Sequence, residues 1–406
     1  MITFDKSLQF VSKNTARLSS VNIEVIESVD RVLAQDVFSP VDLPPFNKSA
    51  VDGYGVKVKD TAHVPVQLKR VGFIEAGQHY RRTIKQGECV KIMTGAPVPK
   101  GVEAIVMIED TSVDNRSWVT VKKHVSKGKN ICRCGEDVQK GQTVLRKGSI
   151  IRGPEILLLS GLGKKTVRVY RKPKIAILNT GGEVVEPGKK VGKNKIYNSN
   201  GPLLVSLCKR KGLTANYLGI VEDREEKLSE SIREGLRDDV LIITGGVSMG
   251  DYDLVPHILR KSGVKIVFHK VRMKPGQPFL FGISKNGIVF GLPGNPVATF
   301  LTFNLFIKPA IDKMKGMTWY KPKFLKGILG RNFCHNPGRK HFVKAVIKPS
   351  KEGLAKIYPV KGHGSGDVVS LTKVNGFMAI DENVSKLEKG MKADYILWTE
   401  ESIQSI

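Results

Sequence analysis

Apolar residues change their spacing several times along the chain, and each change predicts a different kind of element. Over 7–38 the residues Leu8, Phe10, Val11, Ile23, Val25, Ile26, Val29, Val32 and Leu33 recur at the mixed spacings of short amphipathic helices, until Pro40, Pro44 and Pro45 stop them. From 51 to 145 the pattern shortens to β-branched runs, VPVQLKRVGF, ECVKIM, AIVMIE and WVTVKKHV, each broken by Gly, Pro or Asn. A small all-β domain is expected there. A second helical stretch, GPEILLLSGLG, follows it, so the β region reads as an insertion into a helical linker domain.

Between 174 and 316 strand and helix patterns alternate. KIAILNT, NYLGIV and VLIIT read as strands, while PLLVSLCKRKG, DREEKLSESIREGLRD and DLVPHILRKSG read as helices, the first and last closed by Gly212 and Gly263. Such alternation implies a parallel sheet with helices on both faces. PFLFGISKNGIVFGL reads as two strands around Asn286-Gly287, a pair suited to a tight hairpin. Asn295 and Pro296 then supply a cap and a first-turn proline for VATFLTFNLFIKPAIDKMKG. From 321 onward FVKAVI, LAKIYPV, GFMAI and DYILW return to short strands and predict a small β-barrel or sandwich. The expected fold class therefore combines α/β with all-β modules. Its divisions are a discontinuous helical linker (1–39 and 141–170), an inserted β domain (40–140), an α/β domain (171–318) and a C-terminal β-barrel (319–406).

Length agrees with several domains, because 406 residues exceed what one hydrophobic core organises. With 41% hydrophobic and 26% charged residues and no apolar run of about 18, the composition is that of a soluble globular protein rather than a membrane protein. MITFDKSLQFVSKN lacks the basic, apolar and small-residue segments of a signal peptide, so a cytoplasmic location is expected. Five scattered cysteines suit reduced thiols, and the lone Cys132-x-Cys134 has no second pair with which to build a zinc site. Lys and Arg number 66 against 38 acids, a net charge of +28. A solvated Lys-rich surface, steering of a small anionic substrate and nucleic-acid binding all accommodate that charge, although no basic tail or Arg-aromatic stretch supports the last.

Candidate chemistry concentrates where a parallel sheet places it, in loops beyond the carboxyl ends of the strands. One such loop is Asn179-Thr180-Gly181-Gly182-Glu183; the other runs from Thr244 through Gly245, Gly246 and Ser248 to Asp251. Their glycines let the backbone approach an anion, which makes phosphate binding the natural reading. Neither loop has the spacing of a Walker or dinucleotide fingerprint. Glu183, Asp223, Asp251 and Asp253 either cap helices or hold a divalent cation such as Mg2+, which favours carboxylates plus substrate phosphates. Lys270, Arg272 and Lys274 alternate in FHKVRMKPG, so a strand would present all three on one face, as a solvated edge or as an anion site.

Seven motifs in order, PPFNKSAVDGYG, MTGAPVPKGVEAIVMIED, NICRCGEDV, NTGGEV, DDVLIITGGVSMGDYD, KVRMKPGQPF and GLPGNPVA, resemble the molybdopterin molybdenumtransferases, the family of bacterial MoeA and the E domain of gephyrin. The resemblance runs over nearly the whole chain. It implies a homodimer whose active site lies between the α/β domain of one subunit and the β domain of the other, with Asp52, Thr94 and Asp137 from the β side. The α/β side would contribute Glu183, Asp223, Asp253, Lys270 and Lys274 as catalytic groups, with Asp223 and Asp253 as metal ligands. Gly181, Gly245, Gly246, Ser248, Pro293, Gly294, Asn295, Arg339 and Ser365 would bind substrate.

The reaction implied is insertion of molybdate, or tungstate, into adenylyl-molybdopterin with release of AMP, assisted by Mg2+. A molybdopterin adenylyltransferase would act upstream, and neither nucleic acid nor membrane would take part. Departures from the family pattern are Asn47-Lys48 in place of Asp-Asn, Asn198 in place of an acid and Gln277 in place of a lysine. Rival readings are an adenylyltransferase, which would have only the α/β portion, and a receptor-clustering scaffold, for which 406 residues leave little room.

Overall fold

A computed structural model describes residues 1–114, 117–247, 254–319, 321–350, 353–362, 364 and 366–398. The chain divides into two compact units, one made of 1–21 with 169–406 and the other of 22–168.

In the larger unit the alternating pattern yields a six-stranded sheet in the order Ala215–Val221, Ile175–Thr180, Val240–Thr244, Ile288–Leu292, Leu280–Ile283 and Lys265–Phe268. The first four strands are parallel, and the last two run antiparallel to their neighbours. Ile175–Thr180 and Val240–Thr244 are buried along their whole length, as strands covered on both faces must be. Alternation sorts their side chains. Ile175, Ile177, Val240 and Ile242 enter one core with Leu204, Cys208, Phe290, Phe303 and Phe306, and the N-terminal helix Phe4–Asn14 adds Phe4, Leu8 and Val11 to it. Ala176, Leu178, Leu241 and Ile243 enter the opposite core with Leu228 and Ile232 of Glu225–Gly235 and with Val255, Ile258 and Leu259 of Leu254–Lys261. Each such aliphatic or aromatic side chain contributes about 1.5–3 kcal/mol of burial, so the two-sided sheet is the rigid frame of this unit.

The barrel closes as the repeated short strands led one to expect. Lys340–Lys348 pairs with Lys356–Pro359 on one side and Gly376–Ile380 on the other, and Leu325–Leu329 and Lys392–Leu397 complete the ring. Val343, Ala345, Ile347, Met378 and Ile380 fill it, while Phe342, Phe377 and Ala379 join the first α/β core. The barrel and the sheet therefore share side chains from the same strands.

The smaller unit holds a six-stranded sheet in the order Ala104–Met107, Gly53–Val56, Glu88–Ile92, Val66–Ile74, Trp118–Val121 and Thr111–Val113. Its four β-branched runs are the expected strands, but the inner strand Gly53–Val56 comes from GYGV, whose glycines gave no β signal. Glycine is needed because a Cβ on Gly53 would lie 2.0 Å from the Val106 carbonyl oxygen.

Three further local expectations change. Ser20–Glu24 is a strand rather than part of a helix, consistent with its alternating β-branched Val21 and Ile23. Lys270, Arg272 and Lys274 do not share one strand face: the strand ends at Phe268, and a separate short strand, Met273–Lys274, pairs with Lys340–Lys348. Arg272 turns to Glu382 instead, at 3.4 Å. Asn295 does occupy the N-cap position before Pro296, but without a side-chain capping hydrogen bond.

Candidate functional site

The strand ends of the α/β sheet are built around glycines that no other residue replaces without strain. Gly181, Gly245 and Gly246 have φ of 134°, 85° and 59°. A Cβ on Gly245 would meet the Thr180 carbonyl oxygen at 2.5 Å. Glu183 is exposed, yet its carboxylate folds back over Gly181, 2.8 Å from where a Cβ would sit.

Buried polar atoms lie at the same end of the sheet. Asn179, Thr180 and Asn200 are 2%, 5% and 8% exposed, and their Oδ1, Oγ1 and Oδ1 atoms have no partner among the described residues. Their companion groups are held: Asn179 Nδ2 donates to Thr244 Oγ1 at 2.6 Å, and Asn200 Nδ2 donates to the Gly294 carbonyl at 2.7 Å. Unpaired buried oxygens cost stability unless a ligand satisfies them, so their gathering at one sheet end marks a polar binding surface. Thr180 Oγ1 and Asp223 Oδ1 also lie 2.9 and 3.8 Å from the place a Cβ on Gly246 would fill. Val255 Cγ2 packs against the same place at 2.9 Å, so glycine is required there by close packing, while the Thr180 and Asp223 oxygens are hard donors of the kind a cation such as Mg2+ takes together with substrate oxygens. Among the described residues no three His, Cys, Asp or Glu side chains form a metal-holding group. Asp253, the other expected metal ligand, and Ser248, Asp251 and Ser365 lie outside the described residues.

Next to the last parallel strand is a cavity of about 850 Å³. Pro293 and Asn295 border it just after Ile288–Leu292; Lys270, Lys274 and Gln277 come from the segment before Leu280–Ile283; Arg339, His341, Lys344 and Lys361 come from the barrel. Met273, Val297, Phe333, Phe342 and Val343 make its walls largely apolar. Charged groups against such walls act on a ligand through a lower effective dielectric than in open water. The basic segment is tied to the glycine loop by His269, whose Nε2 donates to the Val247 carbonyl at 2.6 Å.

Two departures from the family pattern acquire structural roles here. Gln277 Oε1 accepts a hydrogen bond from the Arg339 guanidinium and so orients it across the cavity wall. Asn198, 3% exposed, accepts from the Gly201 N–H at 3.0 Å and donates to the Tyr217 hydroxyl at 2.6 Å, which in turn donates to Glu186 at 2.5 Å. A buried acid at Asn198 would face Glu186 without a counter-charge, and the amide avoids that.

Asp52 and Thr94 form a distinct centre in the smaller unit. Asp52 precedes Gly53–Val56, and its Oδ1 accepts from both the N–H and the Oγ1 of Thr94, each at 2.7 Å. These bonds, the backbone one foremost, hold its carboxyl below the usual range. Asp137 stands on another loop of that unit, held by its own N–H to the Leu43 carbonyl at 2.9 Å, and Asn47 Oδ1 accepts from the Cys134 N–H at 2.8 Å.

Expected residues thus fall into separate groups. Lys270, Lys274, Pro293, Asn295 and Arg339 meet at one cavity; Gly181, Glu183, Asp223, Gly245, Gly246 and Gly294 surround the strand ends; Asp52 and Thr94 bond directly. Asn200, His341, Lys344 and Lys361 were missed. Nothing near them in sequence marks them, because the barrel strand Lys340–Lys348, the loop after Lys356–Pro359 and a helix start bring them to the site.

Comparison with known proteins gives the family. Residues 2–163 match the MoeA N-terminal region (domain I and II), 176–313 a probable molybdopterin binding domain and 326–398 the MoeA C-terminal region (domain IV). A molybdopterin molybdenumtransferase of Staphylococcus epidermidis is 31% identical, covering 99% of this chain and 97% of its own. One of Staphylococcus aureus is 30% identical, covering 98% and 95%. The solved molybdopterin biosynthesis MoeA protein of Pyrococcus horikoshii superposes with a TM-score of 0.84 at 29% identity, over 98% of this chain and 99% of that one. With fold, domain order and near full-length likeness in agreement, the chain belongs to the molybdopterin molybdenumtransferase family, transferases of molybdenum cofactor biosynthesis.

Proposed function

We propose that this transferase inserts molybdate, or tungstate, into adenylyl-molybdopterin and releases AMP. The observation that carries the reading is the basic cavity beside the glycine loops, because both substrates are anions whose mutual repulsion a site must offset.

Lys274 and Arg339, with Lys270 beside them, receive the oxyanion, and Gln277 holds Arg339 in the orientation that two-point recognition needs. The unpaired Asn179, Thr180 and Asn200 oxygens meet the pterin and phosphate groups, while Gly245 and Gly246 let the backbone come close. Mg2+, when bound through Asp223 and Asp253 with Thr180 nearby, would supply charge neutralisation at the pyrophosphate. Positioning carries most of the rate, since dithiolene sulfurs are already good ligands for the metal. Asp52, which Thr94 keeps ionised, orients a water and accepts its proton, and Glu183 passes a proton to a departing oxygen.

The enzyme acts as a cytoplasmic homodimer in which Asp52 of one subunit serves the site of the other, downstream of a molybdopterin adenylyltransferase. Purified protein mixed with adenylyl-molybdopterin, magnesium and either oxyanion should release AMP only when the oxyanion is present, and Asp52→Ala should lose this. Absence of release with both oxyanions overturns the reading. Mixing Asp52→Ala with Lys274→Ala subunits should restore part of the activity, and failure to do so removes the shared site.

A further inference from the structure

His341 borders the basic cavity beside Lys274 and Arg339, and its Nδ1 is buried with no partner among the described residues. A ring that borders a cationic pocket and keeps a buried nitrogen unpaired has a free proton site, which the surrounding cations disfavour and an arriving anion favours. Resting on the reading of this cavity as the oxyanion pocket, we propose that His341 couples oxyanion binding to proton uptake: a tetrahedral dianion draws one proton from solvent onto the imidazole, which then donates to the anion.

The groups around the ring set the direction. Its own strand begins beside Arg339 and carries Lys340, which is paired with Asp381 at 2.6 Å. From the segment before the sheet's antiparallel edge comes Lys274. The neighbouring short strand leads into His335, whose ring centroid is 5.0 Å away and whose Nδ1 bonds the Asn336 carbonyl at 3.0 Å. After the paired strand Gly376–Ile380 come Asp381 and Glu382, the first held by Lys340 and the second by Arg272 at 3.4 Å. The nearby carboxylates thus have their own cations, and the ring faces a positive field. Burial, then Lys274, His335 and Arg339, push the His341 imidazole down to about 4, so it is neutral in the empty cavity at neutral pH. Two negative charges arriving at Lys274 and Arg339 reverse that field and favour the imidazolium.

Sulfate is the probe, since its own charge stays constant across the mildly acidic and neutral range. Calorimetric titration at about pH 8 and about pH 5.5 should show the native protein binding sulfate about tenfold more tightly at the lower pH, with His341→Gln changing less than about twofold. Equal pH dependence in both proteins overturns the coupling. Should the substitution disturb the barrel, titration of the native protein near pH 6 in buffers of different ionisation enthalpy decides: uptake approaching one proton supports the coupling, and none overturns it. If sulfate and molybdate both fail to bind the native protein, or Lys274→Ala leaves their binding intact, the oxyanion reading of the cavity falls and the coupling with it.

Discussion

The Asp52 centre and the basic cavity solve opposite electrostatic problems. Asp52 is part-exposed and completed by its own neighbours, two Thr94 donors on one oxygen keeping the carboxylate charged without deep burial. The cavity instead gathers cations against apolar walls and leaves polar atoms unsatisfied at its edge and at the nearby strand ends. A self-satisfied acid is pre-organised for proton handling whatever occupies the site, whereas a basic pocket with unsatisfied polar atoms is organised to bind an anion. Residues of the first kind should tolerate substitution with modest loss of stability, and residues of the second should lose function while stability holds.

The largest effect is expected at the cavity. The Lys274→Ala/Arg339→Ala variant should lose about 10³-fold in oxyanion-dependent AMP release, close to 4 kcal/mol of transition-state stabilisation, with its melting temperature nearly unchanged. A coincident collapse of stability would show that these cations are structural. Next comes Gly53→Ala, whose Cβ would press on the Val106 carbonyl oxygen at 2.0 Å. It should destabilise the smaller unit by about 2–3 kcal/mol in denaturant unfolding while leaving sulfate binding to the cavity unaltered.

Thr94→Val removes the hydroxyl bond to Asp52 and keeps the backbone one, so AMP release should drop only about tenfold and the acidic limb of its pH profile should move to higher pH. A loss as large as that of Asp52→Ala would give Thr94 a contact with substrate. The smallest effect concerns His341. Its folded pKa of about 4 lies below the ordinary 6.5, so the unfolded chain takes up the proton first. The stability this gives is complete above about pH 6.5 and is lost as pH falls toward 4. Thermal melts should show the native protein losing about 1 kcal/mol more than His341→Phe between pH 7 and 5, less than full linkage because the ring is partly exposed.

Much of this architecture is legible in the chain. The apolar runs of Ile175–Thr180 and Val240–Thr244, the amphipathic helices between them and the barrel strands all follow from local period and composition. Glycine-rich loops after two strands stand at the carboxyl ends of the sheet, where the proposed reaction puts its substrate, and the motifs name the family. Local pattern misleads where an outside contact decides conformation, as at Gly53–Val56, which is a strand because a neighbouring backbone approaches too closely for any side chain. The alternation Lys270, Arg272, Lys274 suggests one face of one strand, yet the chain leaves the sheet after Phe268, and Arg272 faces Glu382 instead.

What the sequence determined by itself, then, is the set of elements, the strand-end loops and the family. Those depend on periodicity and on residues close in the chain. Tertiary structure alone decided which cations share a cavity, that Gln277 orients Arg339, and that His341 stands among them with an unpaired nitrogen. The reason is that such groups converge through strand pairings and core packing across 60 residues or more of sequence, as between Gln277 and Arg339, a separation to which no local pattern is sensitive.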